Sequence, residues 1–136
     1  PFSRPAALKS GVFYGTNTDG ATVSTGGLSV GLIQGSLDGV NTPDESAQAY
    51  GFLSAPRALI EVTGGNHYSI TDVAAPEDAT GDTSAAAITQ AEGSDRIGQV
   101  SAEFLKVDLK NDATALSNIY SGGLSISGVS VQQAER

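Results

Sequence analysis

An aspartate and the only histidine of this chain each follow an apolar segment at the same distance. Asp38 lies four residues beyond the run 29–34, and His67 lies four residues beyond the run 58–63. A carboxylate beside one imidazole nitrogen orients the ring, so that the other nitrogen can take a proton from a nucleophile. The two residues are therefore predicted to be the acid and the base of a hydrolytic triad.

Short apolar runs predict the three parallel strands that would position this pair. The run 29–34 is apolar at successive positions, which is typical of a strand buried on both faces, and the run 58–63 is rich in β-branched and aliphatic residues. A third and shorter run covers 12–15. Ligands bind beyond the carboxyl ends of parallel strands. We therefore expect Asp38 and His67 to lie side by side at the same end of adjacent strands.

The segments between and after these strands predict helices. Thr42, Pro43 and Glu45 stand in the order of a helix N-terminus with a capping box. Further along, apolar residues recur at helical spacing after Ser94 and Asp95, either of which can cap a helix. A strand, a helix and a strand in succession indicate the α/β class with a right-handed crossover. The predicted helices are 43–53, 95–109 and 113–120.

Two segments have weaker patterns. The stretch 73–95 is rich in Ala, Thr, Asp and Gly, and we expect a long loop with at most one short helix near 85–92. A loop of that length is usually functional or mobile. The tail from Ser121 alternates weakly in hydropathy, so an edge strand and a disordered segment both remain open.

Composition restricts the partners of the chain. Its 136 residues suffice for one domain, and 15 acidic residues against 7 basic ones give a net charge of −8. Binding to nucleic acid requires a basic surface, so we expect no nucleic-acid partner. No run approaches the ~20 apolar residues of a membrane span, and no transmembrane segment is expected. With no cysteine, disulfides and thiolate metal sites are excluded.

The segments 31–38 and 58–72, with Pro43 between them, resemble the C-terminal half of an α/β hydrolase. They read Gly-Leu-Ile-Gln-Gly-Ser-Leu-Asp and Ala-Leu-Ile-Glu-Val-Thr-Gly-Gly-Asn-His-Tyr-Ser-Ile-Thr-Asp. The resemblance is to esterases related to dienelactone hydrolases, bacterial chlorophyllase-like proteins and cutinase-like polyester hydrolases. It implies a serine carboxylic-ester hydrolase that needs no cofactor and acts on a small-molecule or polymeric ester. In that family the acid corresponds to Asp38 and the base to His67.

The nucleophile of this family stands in a strand–turn–helix elbow, G-x-S-x-G, upstream of the acid. Residues 27–31 have these letters around Ser29, but a polar loop precedes the serine and an apolar strand follows it. We expect Ser29 to be a strand residue. The chain, 1–136, is then expected to be a single partial domain whose nucleophile lies in a missing N-terminal half, and to be inactive alone. The first five residues have neither an initiator Met nor a signal-peptide pattern, and the localisation stays unknown.

Other residues near the pair have alternative interpretations. Asn17 or Asp19, after the first strand, occupies a second position that some family members use for the acid, but the glycine-rich loop 16–27 favours an ordinary loop role for both. Tyr68 and Ile70 flank the histidine and are expected to pack beneath the site. Asp72 is interpreted as a cap or turn residue.

An acidic cluster in the long loop, formed by Glu77, Asp78 and Asp82, offers oxygen ligands of the kind that calcium prefers. Its spacing is not that of an EF-hand, and a solvated acidic loop is the favoured interpretation. The alternative to an esterase is a non-catalytic α/β binding domain, or a degenerate hydrolase fragment that completes itself against a partner.

Overall fold

The chain forms three helices and a four-stranded sheet in a computed structural model that describes residues 5–136. The sheet order is β1-β2-β3-β4; β1, β2 and β3 are parallel, and β4 is antiparallel to β3. The predicted α/β class is thereby confirmed. The elements in chain order are β1 (Ser10–Tyr14), β2 (Ser29–Gly35), α1 (Pro43–Phe52), β3 (Arg57–Val62), α2 (Gln90–Leu109), α3 (Ala113–Tyr120) and β4 (Val129–Glu135).

The two central strands follow their apolar sequences. Every residue of β2 is buried, and β3 is buried at four of its six positions. Gly35 pairs with Val62 in the parallel register, so β2 and β3 end at the same level of the sheet. The loops that follow these strands therefore start side by side.

Helices cover both faces of the sheet. On one face α2 contributes Ile97, Val100, Phe104 and Val107 to the larger core, and Gly31 of β2 leaves room for the Phe104 ring. On the other face α1 packs Ala49 and Tyr50 against apolar side chains of β2 and β3, which are Val30, Leu32 and Leu59. None of the helices in the described part of the chain is long and apolar enough to cross a membrane.

The start of α2 differs from the prediction. The helix begins at Gln90, where Thr89 and Glu92 form a capping box, and neither Ser94 nor Asp95 caps it. The prediction of a separate short helix near 85–92 was wrong, because residues 85–89 are not helical and residues 90–92 belong to α2. The first turn of α2 contains Gly93, whose absent Cβ would meet the Ser69 carbonyl oxygen at 2.5 Å. The close packing of α2 against Ser69 requires a glycine at position 93. A glycine adds no apolar side chain, so the start of α2 has a weak helical hydropathy pattern.

The sheet is not entirely parallel. The tail after Ser121 contains β4, which resolves the open alternative in favour of an edge strand. Val129 and Val131 of this strand pack against the larger core together with Leu124 and Ile126. The weak alternation of the tail therefore reflects one half-buried face.

Candidate active site

Asp38 and His67 meet at the carboxyl end of the parallel strands. The chain turns after β2 while Ser36 N–H donates to the Val62 carbonyl at 3.1 Å and Leu37 N–H donates to the Gly65 carbonyl at 2.8 Å. Nδ1 of His67 lies 3.0 Å from Oδ2 of Asp38. The predicted placement of the pair at the same end of adjacent strands is confirmed.

The surroundings of Asp38 determine which nitrogen of His67 carries a proton. The Asp38 side chain is fully buried, and its Oδ1 accepts hydrogen bonds from the amides of Val40 and Asn41 at 2.9 and 2.8 Å. An ionised carboxylate only accepts, so in the neutral form of the imidazole Nδ1–H donates to Oδ2 and Nε2 carries the lone pair. The His67 side chain is 23% exposed. The ring is thus held on one side and free to accept a proton on the other.

Glycines let three strand ends converge on the pair. Gly15, just after β1, has φ +53°, and a Cβ there would lie 2.8 Å from Asp38 Oδ2 and 2.9 Å from His67 Nδ1. A Cβ on Gly35 would lie 2.5 Å from the carbonyl oxygen of Gly65. Real Cβ atoms do not approach so closely, so any side chain at these positions would push the loops apart. Because Gly15 has no side chain, the end of β1 can lie directly against Asp38 and His67.

Tyr14 and Asn66 support the backbone of the histidine loop. The Tyr14 hydroxyl donates to the Asn66 carbonyl at 2.6 Å. Burial, with the negative charge of Asp38 nearby, raises the pKa of the Tyr14 phenol, so this donor stays protonated at neutral pH. The Asn66 side chain accepts from Tyr68 N–H at 3.1 Å and donates to the Ser84 carbonyl at 2.9 Å. The residue before His67 is therefore fixed from three directions.

Asp82 joins the two loops that carry the pair. Its Oδ1 accepts from the amides of Gly39 and Ser84 at 3.0 and 2.8 Å, and its Oδ2 accepts from the His67 amide at 2.8 Å. Asp82 is half-buried and departs from the predicted solvated acidic loop, whereas Glu77 and Asp78 are exposed and agree with it. In the described residues, 5–136, no three His, Asp or Glu side chains lie together as metal ligands. Sequence reasoning missed the role of Asp82 in joining the two loops, because Gly39 and His67 lie 43 and 15 positions away from it along the chain.

The alternative acid positions have hydrogen-bond partners other than the histidine. Asn17 donates to the Asn41 side chain at 2.6 Å and accepts from the Asp19 amide at 3.2 Å. Asn41 in turn donates to the Gly15 carbonyl at 2.6 Å. Within 5–136, neither Asn17 nor Asp19 forms a hydrogen bond with the imidazole of His67, so Asp38 is the acid that the fold brings to it.

The remaining neighbours confirm some expectations and correct one. Ser29 is the first residue of β2, buried, at the end of the strand opposite to the site. Tyr68 is buried with its ring edge-on to His67 at 5.1 Å between centroids. Ile70 does not pack beneath the site, since it is 48% exposed whereas Tyr68 and Ser69 before it are buried.

The free nitrogen of His67 has no nucleophile beside it in the described chain. Between residues 5 and 136, no side-chain hydroxyl forms a hydrogen bond with Nε2, and the only ring contact of this kind is the one to Asp38. The arrangement can therefore accept a proton from a group that is brought to the exposed edge of the ring. No family model matches this chain, and neither does any curated protein or solved structure.

Proposed function

We propose that this chain supplies Asp38 and His67 as the acid and base of the Ser-His-Asp triad in a serine carboxylic-ester hydrolase of the α/β-hydrolase type. The serine would come from an N-terminal half outside residues 1–136. The observation that supports the proposal is the 3.0 Å hydrogen bond between a fully buried carboxylate and a partly exposed imidazole, at the carboxyl ends of adjacent parallel strands. The resemblance of 31–38 and 58–72 to such esterases, described above, also supports it.

In this reaction His67 acts twice as a proton carrier. Nε2 removes the proton of the serine hydroxyl while the serine oxygen bonds to the ester carbonyl carbon. The same proton then passes to the departing alcohol, and an acyl-enzyme remains. Water attacks the acyl carbon while His67 again takes a proton, which returns to the serine when the acid leaves. Asp38 orients the ring and stabilises the imidazolium in both halves. Chemistry of this kind requires no cofactor.

The competing function is a non-catalytic α/β binding domain, or a degenerate hydrolase fragment completed by a partner. The observation that favours it is the absence, within 5–136, of a hydroxyl group at Nε2 of His67. In that case the hydrogen bond between Asp38 and His67 would serve only to join the two loops.

Steady-state kinetics decide between the esterase and the binding domain. They are measured on the complete protein, which is the product of the entire reading frame that contains this chain. With 4-nitrophenyl butyrate as substrate, His67→Ala should remove most hydrolysis. Asp38→Asn should lower kcat by orders of magnitude, because it favours the wrong tautomer and weakens the stabilisation of the imidazolium.

Ser29→Ala is the matched control, since it removes a serine hydroxyl at the other end of β2. It should leave kcat almost unchanged. Hydrolysis that survives His67→Ala, or a complete protein that hydrolyses no ester, would favour the binding domain. Lost activity in a folded Ser29→Ala variant would show that the nucleophile was wrongly excluded.

A further inference from the structure

The loop between His67 and α2 leaves the site and then returns across it. On its return the Ser84 carbonyl accepts from the Asn66 side chain at 2.9 Å, and Ala87 N–H donates to the Gly64 carbonyl at 2.8 Å. The Tyr68 hydroxyl donates to the Thr80 carbonyl. This returning segment, 80–87, places the carboxylate of Asp82 between the acid loop and the histidine loop.

We infer that Asp82 is a positioning residue of the proposed hydrolase, which sets the distance and orientation between Asp38 and His67 without touching the substrate. The inference rests on the proposed function. Of the three amides that Asp82 binds, one belongs to His67 itself and one to Gly39, the residue after Asp38. One side chain thus determines the backbone positions of both members of the pair.

The packing around Gly39 shows that the fit is close. A Cβ on Gly39 would collide with the Thr83 hydroxyl and would lie 2.7 Å from Asp82 Oδ1. The Thr83 hydroxyl also donates to the Gly39 carbonyl at 3.4 Å. The acid loop is therefore pressed against the returning segment, and hydrogen bonds to an ionised carboxylate are stronger than neutral ones.

A purely structural role would require only the local hydrogen bond that the Ser84 amide, two residues away, donates to Asp82. The other two hydrogen bonds cross 43 and 15 positions and end at the pair. The returning segment also keeps its separate tethers at Thr80, Ser84 and Ala87. Removal of the Asp82 carboxylate should therefore leave the fold intact and loosen the pair.

The first test is the kinetics of Asp82→Ala in the complete protein. We expect kcat to fall by about 10- to 100-fold, since misplacement of reacting groups by about 1 Å costs rates of this order. KM should change little, because the substrate does not touch Asp82. Asp78→Asn is the matched control, with the same loss of charge in the same loop. Asp78 is exposed and, within 5–136, its side chain forms no hydrogen bond; its φ of +61° is one that Asn tolerates.

A more conservative variant separates positioning from folding. Asp82→Asn keeps one oxygen, which can accept from Gly39 and Ser84 or from His67, but not from all three. The amide NH₂ must then face a backbone N–H. We expect this variant to melt close to the parent protein, with a kcat below the parent and above that of Asp82→Ala.

Hydrogen exchange measured by mass spectrometry gives a readout that does not require activity. In Asp82→Ala the peptides that contain Gly39 and His67 should exchange faster, while those of β2 and β3 should not.

A double variant supplies the second readout. In the background of Asp38→Asn, Asp82→Ala should cost less than twofold in kcat, because the aligned pair is already lost.

The inference is overturned if folded Asp82→Ala keeps kcat within twofold of the parent, or if Asp78→Asn loses as much activity as Asp82→Ala. It is also overturned if the fold-loss of kcat in the double variant equals the product of the losses in Asp82→Ala and Asp38→Asn. Should His67→Ala retain hydrolysis, the proposed function itself fails. Exchange at Gly39 and His67 still shows in that event whether Asp82 holds the two loops.

Discussion

Asp38 divides its two oxygens between local structure and its partner. Oδ1 is held by the amides of Val40 and Asn41, two and three residues away, in the manner of an Asx turn. Oδ2 is thereby directed at His67 before any substrate arrives. Alignment set by the fold in this way lowers the entropy that the reaction must otherwise lose. The distance between Asp38 and His67 is consequently sensitive to any added atom that lies against the two side chains.

Gly15→Ala tests that sensitivity. The new methyl group would lie 2.8 Å from Asp38 Oδ2 and 2.9 Å from His67 Nδ1, so it should separate the pair and lower kcat for ester hydrolysis by more than tenfold. The left-handed φ also costs about 1–2 kcal/mol of stability. Gly26→Ala is the control, because Gly26 has φ +58° and no atom within 4 Å of its Cβ position. It should have a similar effect on the melting temperature but leave kcat unchanged, and an equal loss of kcat in both variants would contradict the prediction.

At the scale of elements, signals that lie within a few residues were predictable from the sequence. The apolar runs of β2 and β3 and the capping box of α1 have such signals, and they place Asp38 and His67 correctly. The contacts of Gly15 and Asp82 were not predictable, since they join segments that are far apart in the chain. The direction of β4 was likewise not predictable, because it depends on packing against the larger core.

The capping box of α2 predicts a pH-dependent stability. The backbone and side chain of Thr89 donate hydrogen bonds to Glu92 and lower the pKa of its carboxyl. A pKa that is lower in the folded state adds stability above the unfolded value, and this stability is lost as the pH falls through the folded value. Glu92→Gln should therefore melt below the parent at pH 7, and the difference should shrink below about pH 4.

Thermal melts of the parent, Glu92→Gln and Glu77→Gln between pH 3 and 7 check this dependence. Glu77→Gln removes the same charge from an exposed loop residue and should follow the parent throughout. A difference between Glu92→Gln and the parent that persists unchanged at pH 3 would show that the charge of Glu92 is not what stabilises the helix start.

On the scale of the whole molecule, the two outer strands of the sheet differ in character. In the described residues β4 pairs only with β3 and presents Gln132, Gln133 and Glu135, which are exposed. At the other side of the sheet, among residues 5–136, β1 pairs only with β2. Phe13 of β1 is 50% exposed and lines an apolar groove of about 300 Å³ together with Val23, Leu28, Leu32 and Leu53. Polar edges resist pairing with other chains, whereas apolar ones invite it.

We therefore expect the isolated 136-residue chain to self-associate through β1. Sedimentation velocity at micromolar concentrations should show species larger than the 13.7 kDa monomer. Phe13→Lys should reduce this association, because a charge on an edge strand opposes strand pairing. Leu109→Lys is the matched control, since Leu109 is 56% exposed at the end of α2 and should not affect association. A parent chain that sediments as a single monomer and melts cooperatively would contradict this prediction, and would weaken the proposal that an N-terminal half outside residues 1–136 belongs to the same fold.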